Sequence, residues 1–332
     1  MIRSSFSALF GLDYPIMNAP MATAAGGELV AAVANAGALG MIGGSGSSPG
    51  LTPAERLRRE IASCQSRTTR PFGVGFISTR RLDDGRLAAE ELQSVALDAG
   101  VSIITHSFMV PTDLIAVAQR RGARVICQVQ TVAMAHEALD AGADVLIAQG
   151  NDGGGHVGSI GTLSIVPAIV EIAGRTPVLA AGGIVDGRGL AAALMLGAQG
   201  ANLGTRLAVS GESTMPSYAQ ARMIAAGTDD TLWTRSYDVV RGSDFGPTVA
   251  GRVVRNAFTD AWDGRENDAR ANAARLADQI DAAAIAGDTS LVSVWASSGV
   301  GLIRDVEPAA AIVRNICAEA EQIIRSRAAL LI

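Results

Sequence analysis

A histidine behind a run of glycines is the most chemically loaded feature of this sequence. The segment Ala148-Gln-Gly-Asn-Asp-Gly-Gly-Gly-His ends at His156. A neutral imidazole there can take or give a proton near neutral pH. A lone histidine is more often structural than catalytic. Here Gly154 and Gly155 place it in a close-approach loop with no apolar face to fill, so a catalytic role ranks ahead. His106, in Thr105-His-Ser, closes another apolar run and is a candidate supporting residue at the same mouth. His136 falls inside a helical pattern and reads as a surface or packing residue.

Two more glycine clusters point to anion binding. They are Ala180-Ala-Gly-Gly-Ile and Asn202-Leu-Gly-Thr-Arg, each following an apolar run. Without a Cβ, backbone N–H groups can converge on a phosphate, and a following helix start adds partial positive charge. Ala181, Gly182, Gly183, Gly204 and Thr205 are the candidate cradle. Gln128 and Gln149 end two further runs, and a carboxamide both donates and accepts, as the mixed edge of a ring cofactor requires. A buried glutamine bonded only to protein is an equal alternative. In Asn18-Ala-Pro-Met-Ala, Pro20 stiffens the turn after Ala19, and Met21 offers a soft apolar surface. Gly75, in Phe72-Gly-Val-Gly-Phe, leaves room for a ring close to backbone.

Other chemistries are excluded. All 27 basic residues are Arg, so lysine Schiff bases are out. Cys64, Cys127 and Cys317 are odd in number and widely spaced, which argues against a disulfide framework or a metal site. A net charge of −5 without a basic run gives no footprint for nucleic acid or an anionic membrane. The stretch MIRSSFSALFGLDYPI has no apolar run of signal-peptide length, and no segment approaches a membrane span. A cytoplasmic location is expected.

These residues need elements to hold them. The chain has 332 residues, 48% hydrophobic and 18% charged, enough for a sizeable core. Eight apolar runs read as strands: Pro15–Ala19, Leu39–Ile42, Phe72–Ile77, Val101–Thr105, Arg124–Val129, Asp144–Ala148, Pro177–Ala181 and Ala201–Gly204. They are apolar throughout, as strands buried on both faces are. Helical patterns lie between them at Glu28–Asn35, Pro53–Cys64, Arg86–Asp98, Pro111–Arg120, Val132–Asp140, Ser164–Ile172 and Gly189–Leu196. The recurring phrases Asn35-Ala-Gly-Ala, Asp98-Ala-Gly-Val and Asp140-Ala-Gly-Ala put Gly just past a helix, where a left-handed cap suits it.

Eight strands with crossover helices make either an open doubly wound sheet or a closed TIM barrel. Eight is the closing number, and the span of roughly 200 residues is near the barrel minimum, so an α/β class TIM (β/α)8 barrel is predicted. Residues 211–302 read as a small, mostly helical insert or lid. Helices are expected at Pro216–Ala226, Val249–Trp262 and Asn267–Ala286. A long helix, Pro308–Ala328, is expected to pack back on the barrel. The barrel domain then comprises 1–210 with 303–332.

Taken together, Tyr14-Pro-Ile-Met-Asn-Ala-Pro-Met-Ala, Pro71-Phe-Gly-Val-Gly-Phe, the His156 loop, Pro177-Val-Leu-Ala-Ala-Gly-Gly-Ile and Ala201-Asn-Leu-Gly-Thr-Arg resemble the nitronate monooxygenase (2-nitropropane dioxygenase) family. That family is related to flavin-dependent enoyl-acyl-carrier-protein reductases and NADH:quinone reductases. The likeness covers nearly the whole chain and includes Val294-Trp-Ala-Ser-Ser-Gly-Val-Gly. It implies a TIM barrel holding FMN without a covalent link. Gly182, Gly183, Gly204 and Thr205 would meet the phosphate, Met21, Gln128 and Gln149 would flank the flavin, and His156 would face the substrate. Two departures stand out. Asn151-Asp-Gly-Gly-Gly replaces the family's Glu-Ala-Gly-Gly before the histidine, and Gly75 stands where relatives often have Asn.

The implied reaction is oxidation of an alkyl nitronate with O2 to a carbonyl compound and nitrite. An alternative keeps FMN but uses NAD(P)H to reduce an enoyl thioester or quinone. A third, non-redox alternative is a barrel binding a phosphorylated metabolite. The expected partners are a small-molecule substrate and O2, with NAD(P)H under the second alternative and a homodimer as an open option.

Overall fold

The apolar runs fold into parallel strands, each followed by a helix that covers its outer side. The structure is a computed structural model describing residues 2–46, 48–82 and 84–331. Met1, Ser47, Asp83 and Ile332 fall within the expected domain spans but lie outside the described residues. In chain order the strands are β1 (Ile16–Asn18), β2 (Gly40–Gly43), β3 (Phe72–Ile77), β4 (Ile103–Ser107), β5 (Arg124–Val129), β6 (Val145–Gln149), β7 (Gly155–Val157), β8 (Val178–Ala181) and β9 (Ala201–Leu203). All but β7 form one sheet, ordered β1-β9-β8-β6-β5-β4-β3-β2, with every pairing parallel.

The two end strands meet. Met17 bridges Leu39, and the Asn18 side chain clasps Met41 by donating to its carbonyl (2.8 Å) and accepting from its N–H (2.8 Å). The sheet therefore closes, as the predicted barrel requires, and the open-sheet alternative falls away. Alternation along each strand separates two cores. Met17, Met41, Ile103, Ile126, Val145, Ile147 and Leu179 fill the interior, while Val74, Ile104, Leu146 and Ala180 face the helices. A short N-terminal helix, Ser5–Phe10, plugs the interior with the buried Phe6. It escapes sequence periodicity because six residues are too few to show one.

The eight barrel strands fall within two residues of their predicted bounds at each end. The glycine caps are as expected, with Gly142 at φ +81° after its helix. The long helix, observed at Ala309–Leu331, packs on Gly187–Met195 through Ile312, Val313 and Ile316. The three cysteines are buried and free, and burial pushes each thiol's pKa up to about 12.

The segment after β9 differs from expectation in more than one respect: Asn267–Ala286, expected as one helix, breaks at Asn272 into Glu266–Ala271 and Ala273–Ala286. Val249–Trp262 was expected as one helix. It is instead strand β11 (Ala250–Val254) followed by a helix, Ala257–Trp262. The run Ala250-Gly-Arg-Val-Val is β-prone, and Asn256 caps the helix that follows. Strand β10 (Thr231–Thr234) pairs antiparallel with β11, and β11 takes β7 as its third strand. The insert is thus stitched to the loop after β6.

Candidate active site at the carboxyl end of the barrel

His156 lies on β7, not on a free loop, and its backbone registers opposite Gly251 of β11. Trp295 passes where a side chain at Gly251 would stand, so only glycine fits there. His156 Nε2 lies 2.7 Å from Asp238 Oδ1, and both side chains are largely buried. Phe245 stacks on the imidazole at 3.7 Å between centroids, Trp295 lies at 5.0 Å, and Phe108 meets it edge-on at 6.1 Å. Phe108, just past β4, has φ +72°, a conformation costly for a bulky residue. Its ring meets His156 and Phe245 edge-on.

The ring lines a cavity of about 250 Å³ at the carboxyl end of the barrel. Ala19, Pro20, Met21, Gln128, Gln149, Gly154, Gly155, Gly204 and Thr205 line it as well. Among the described lining residues, His156 is the sole ionisable group. A deeper space of about 50 Å³ continues from it between the tips of β8 and β9, walled by Ala181, Gly182, Gly183, Asn202 and Ser297. Arg56 braces the rim from below, donating to the carbonyls of Gly43 (2.7 Å) and Ala22 (3.1 Å).

The residues present suit a flavin with a phosphate tail. Asn202 Oδ1 and Ser297 Oγ, both walling the deep space, are buried without a protein partner. Buried polar atoms left unbonded are costly, so these call for a ligand. The N–H groups of Gly183, Gly204 and Thr205 make no hydrogen bond to protein among the described residues. Gly182 and Gly183 adopt φ +112° and +73°, conformations that turn the chain sharply at the tip of β8. At Gly204, an added Cβ would meet only Ala19 and Met21 at ordinary distance, so the position is open toward the cavity. The helix after it, Thr205–Ala208, is a single turn. Thr205 Oγ1 accepts from Ser297 N–H at 3.0 Å, tying the tail segment to this tip.

The glutamines form a cluster. Gln149 Oε1 accepts from Gln128 (3.0 Å) and Gln130 (2.6 Å), which leaves the Gln149 amide to donate toward the cavity. Gln130 Oε1 is buried without a partner.

Two expected residues lie elsewhere. Gly75 does not line the cavity: Pro20 packs over it where a Cβ would sit, so its glycine serves the turn after β1. His106 shares the outward parity of Ile104 and is fully buried behind the barrel wall, so it does not reach the mouth. Its Nδ1 contacts Ser78 Oγ at 2.9 Å, Nε2 has no partner, and burial pushes the ring's pKa down to about 3. It is a neutral packing residue. His136 is exposed on its helix.

Several site residues were given no role by the sequence reading, although Asn202 and Trp295 stand inside quoted motifs. Gln130 and Asn202 share inward parity with Gln128 and the cavity floor, so strict alternation would have found them. Asp238, Phe245 and Trp295 arrive from the insert; no local pattern marks Asp238 or Phe245, and Trp295 is marked only by the family resemblance of its segment.

The sequence model of the nitronate monooxygenase family matches residues 3–319. A nitronate monooxygenase of Neurospora crassa is 34% identical, across 93% of this chain and 90% of its own length. A (3aS,4S,5R,7aS)-5-hydroxy-7a-methyl-1-oxo-octahydro-1H-indene-4-carboxyl-CoA dehydrogenase of Mycobacterium tuberculosis is 34% identical across 71% of this chain, and the matched stretch spans 64% of that relative. Among solved structures, FabK from Thermotoga maritima superposes with a TM-score of 0.86 at 30% identity, covering 100% of both chains.

Proposed function

The chain belongs to the nitronate monooxygenase family and is an oxidoreductase, and from that premise we propose that it binds FMN and oxidises alkyl nitronates with O2 to carbonyl compounds and nitrite. The observation that carries this reading is the juxtaposition of one ionisable side chain, His156, with a cavity that deepens into an unsatisfied cradle of backbone N–H groups. When bound, FMN would supply the two-electron oxidising capacity that no side chain here has. Gly182, Gly183, Gly204 and Thr205 would hold its phosphate. Gln149 and Gln128 would donate to the ring edge, and Ala19, Pro20 and Met21 would pack on it.

His156 would take the α-proton of a neutral nitroalkane. The C–H bond breaks, an N–H bond forms, and the electron pair moves into the nitro group. Toward a preformed nitronate the ring would donate a hydrogen bond to the anionic oxygens only as the imidazolium, because the single N–H of the neutral ring faces Asp238. With no Arg among the described lining residues, that contact is the available match for substrate charge. The apolar rings of Phe108, Phe245 and Trp295 exclude water and strengthen it.

The test is an anaerobic titration of the purified holoprotein. Bleaching of the flavin by an alkyl nitronate, with nitrite appearing once O2 is admitted, supports the proposal. Bleaching by NADH or NADPH alone points to the reductase alternative. The similarity to a carboxyl-CoA dehydrogenase gives that alternative its specific support.

A further inference from the structure

The carboxylate that meets His156 comes from a part of the chain 82 residues away. Asp238 sits on the short helix Ser236–Arg241, which the insert pins at several points. Tyr237 is buried, donates to the Leu291 carbonyl at 2.9 Å and stacks on Phe258 at 4.4 Å. Arg241 makes two hydrogen bonds to Asp281. On the other side, His156 is fixed by the β7–β11 pairing and by Phe245. Both partners of the 2.7 Å contact are therefore held independently.

Among the described residues no Arg makes an ion pair with the carboxylate. Arg235 and Arg270 line the groove on its far side, together with Asp244. Yet Arg235 is spent on the carbonyls of Gly246 and Pro247, and Arg241 on Asp281. Among the described residues, His156 is the one group bonded to the Asp238 side chain. A largely buried carboxylate is costly unless paired, so this pairing is not incidental.

An ionised carboxylate only accepts hydrogen bonds, so the ring nitrogen facing it carries the proton. We propose that Asp238 is the positioning residue of this site: it fixes His156 as the Nε2–H tautomer, makes Nδ1 the proton-accepting nitrogen, and stabilises the imidazolium formed when Nδ1 takes the substrate's α-proton. In that step the C–H bond breaks, Nδ1–H forms, and the electron pair enters the nitro group, so nothing further is consumed. Among the described residues no hydrogen bond is made to Nδ1, and the ring lines the cavity. The tautomer follows from geometry alone; the identity of the proton donor rests on the nitroalkane reading.

The chain has three histidines, so its imidazole nitrogens can be read directly. Long-range 1H–15N spectra of the full chain labelled at histidine, assigned with His156→Gln, should show Nε2 of His156 protonated and Nδ1 bare. Asp238→Ala should turn that into a mixed tautomer population. An Nδ1–H tautomer in the wild type, or no change on substitution, overturns the proposal. Kinetics give a second readout. In Asp238→Asn, kcat on a neutral nitroalkane should fall about 100-fold at nearly constant KM, while turnover of the preformed nitronate falls less than about threefold. Asp238→Glu should recover part of the loss, and Asp238→Asn should cost little more in a His156→Asn background. Equal losses on both substrates would mean a merely structural role. If the wild type turns over neither compound, the nitronate reading fails while the spectra still decide the tautomer.

Discussion

The barrel mouth and the insert contribute opposite things to the same cavity. The tips of β1, β8 and β9 offer backbone N–H groups, glycines, amides and a methionine, with no charged side chain among the described lining residues. The insert and its partner β7 bring His156 with its carboxylate and the rings of Phe245 and Trp295. On the proposed function, one region would hold the cofactor and the other would act on what lies over it. The division teaches that binding and turnover can be damaged separately.

His156→Asn should break the turnover side with the largest effect. Neutral nitroalkane turnover should fall by about 10³-fold, while flavin content stays at wild-type level. Loss of flavin in this variant would erase the contrast between the regions. Next is Gly182→Val on the binding side. Its φ of +112° and the Thr162 hydroxyl 2.6 Å from the new Cβ force the β8 tip to move. Flavin should be lost, with a stability cost of about 1–3 kcal/mol by thermal melt. A fully loaded variant would contradict the cradle.

A third prediction separates the mouth from the wall behind it. Unfolded His106 takes a proton below about 6.5, whereas the folded ring resists until about 3. Stability should therefore decline as pH falls through that window, and His106→Gln should flatten the decline in urea midpoints without altering His156-dependent activity. A variant with the wild-type pH slope would sink the assignment. The smallest effect belongs to Asp281→Ala. It removes an exposed pair with Arg241 on the helix carrying Asp238. Stability should shift by less than about 0.5 kcal/mol and turnover by less than about twofold. A larger drop would mean that helix depends on its surface staple.

The legibility of the site in the sequence follows the same division. Strands, glycine caps and the Gly182–Gly183 and Gly204–Thr205 tips were readable because each is a local pattern with a local cause. The same holds for barrel closure, since eight buried parallel strands have few other arrangements. His106 misled because a strand-end histidine faces either way, and counting parity from Ile104 is what sends it outward. Gly75 misled because the need for glycine came from Pro20, some 55 residues distant, not from a ligand. Asp238 and Phe245 were invisible for the same reason at larger scale, and Trp295 was legible only as part of a familial segment, without a role: their meeting depends on how β11 pairs with β7. Val249–Trp262 hid that pairing by reading as a single helix.

The most direct test of the central claim is the flavin content of freshly purified protein, measured by absorbance and by chromatography of the cofactor released on denaturation. The account predicts a band near ~450 nm from noncovalently bound FMN, about one per chain in the wild type and nearly none in Gly182→Val. A colourless wild-type protein that FMN cannot reconstitute, or a Gly182→Val variant carrying as much FMN as the wild type, would contradict it.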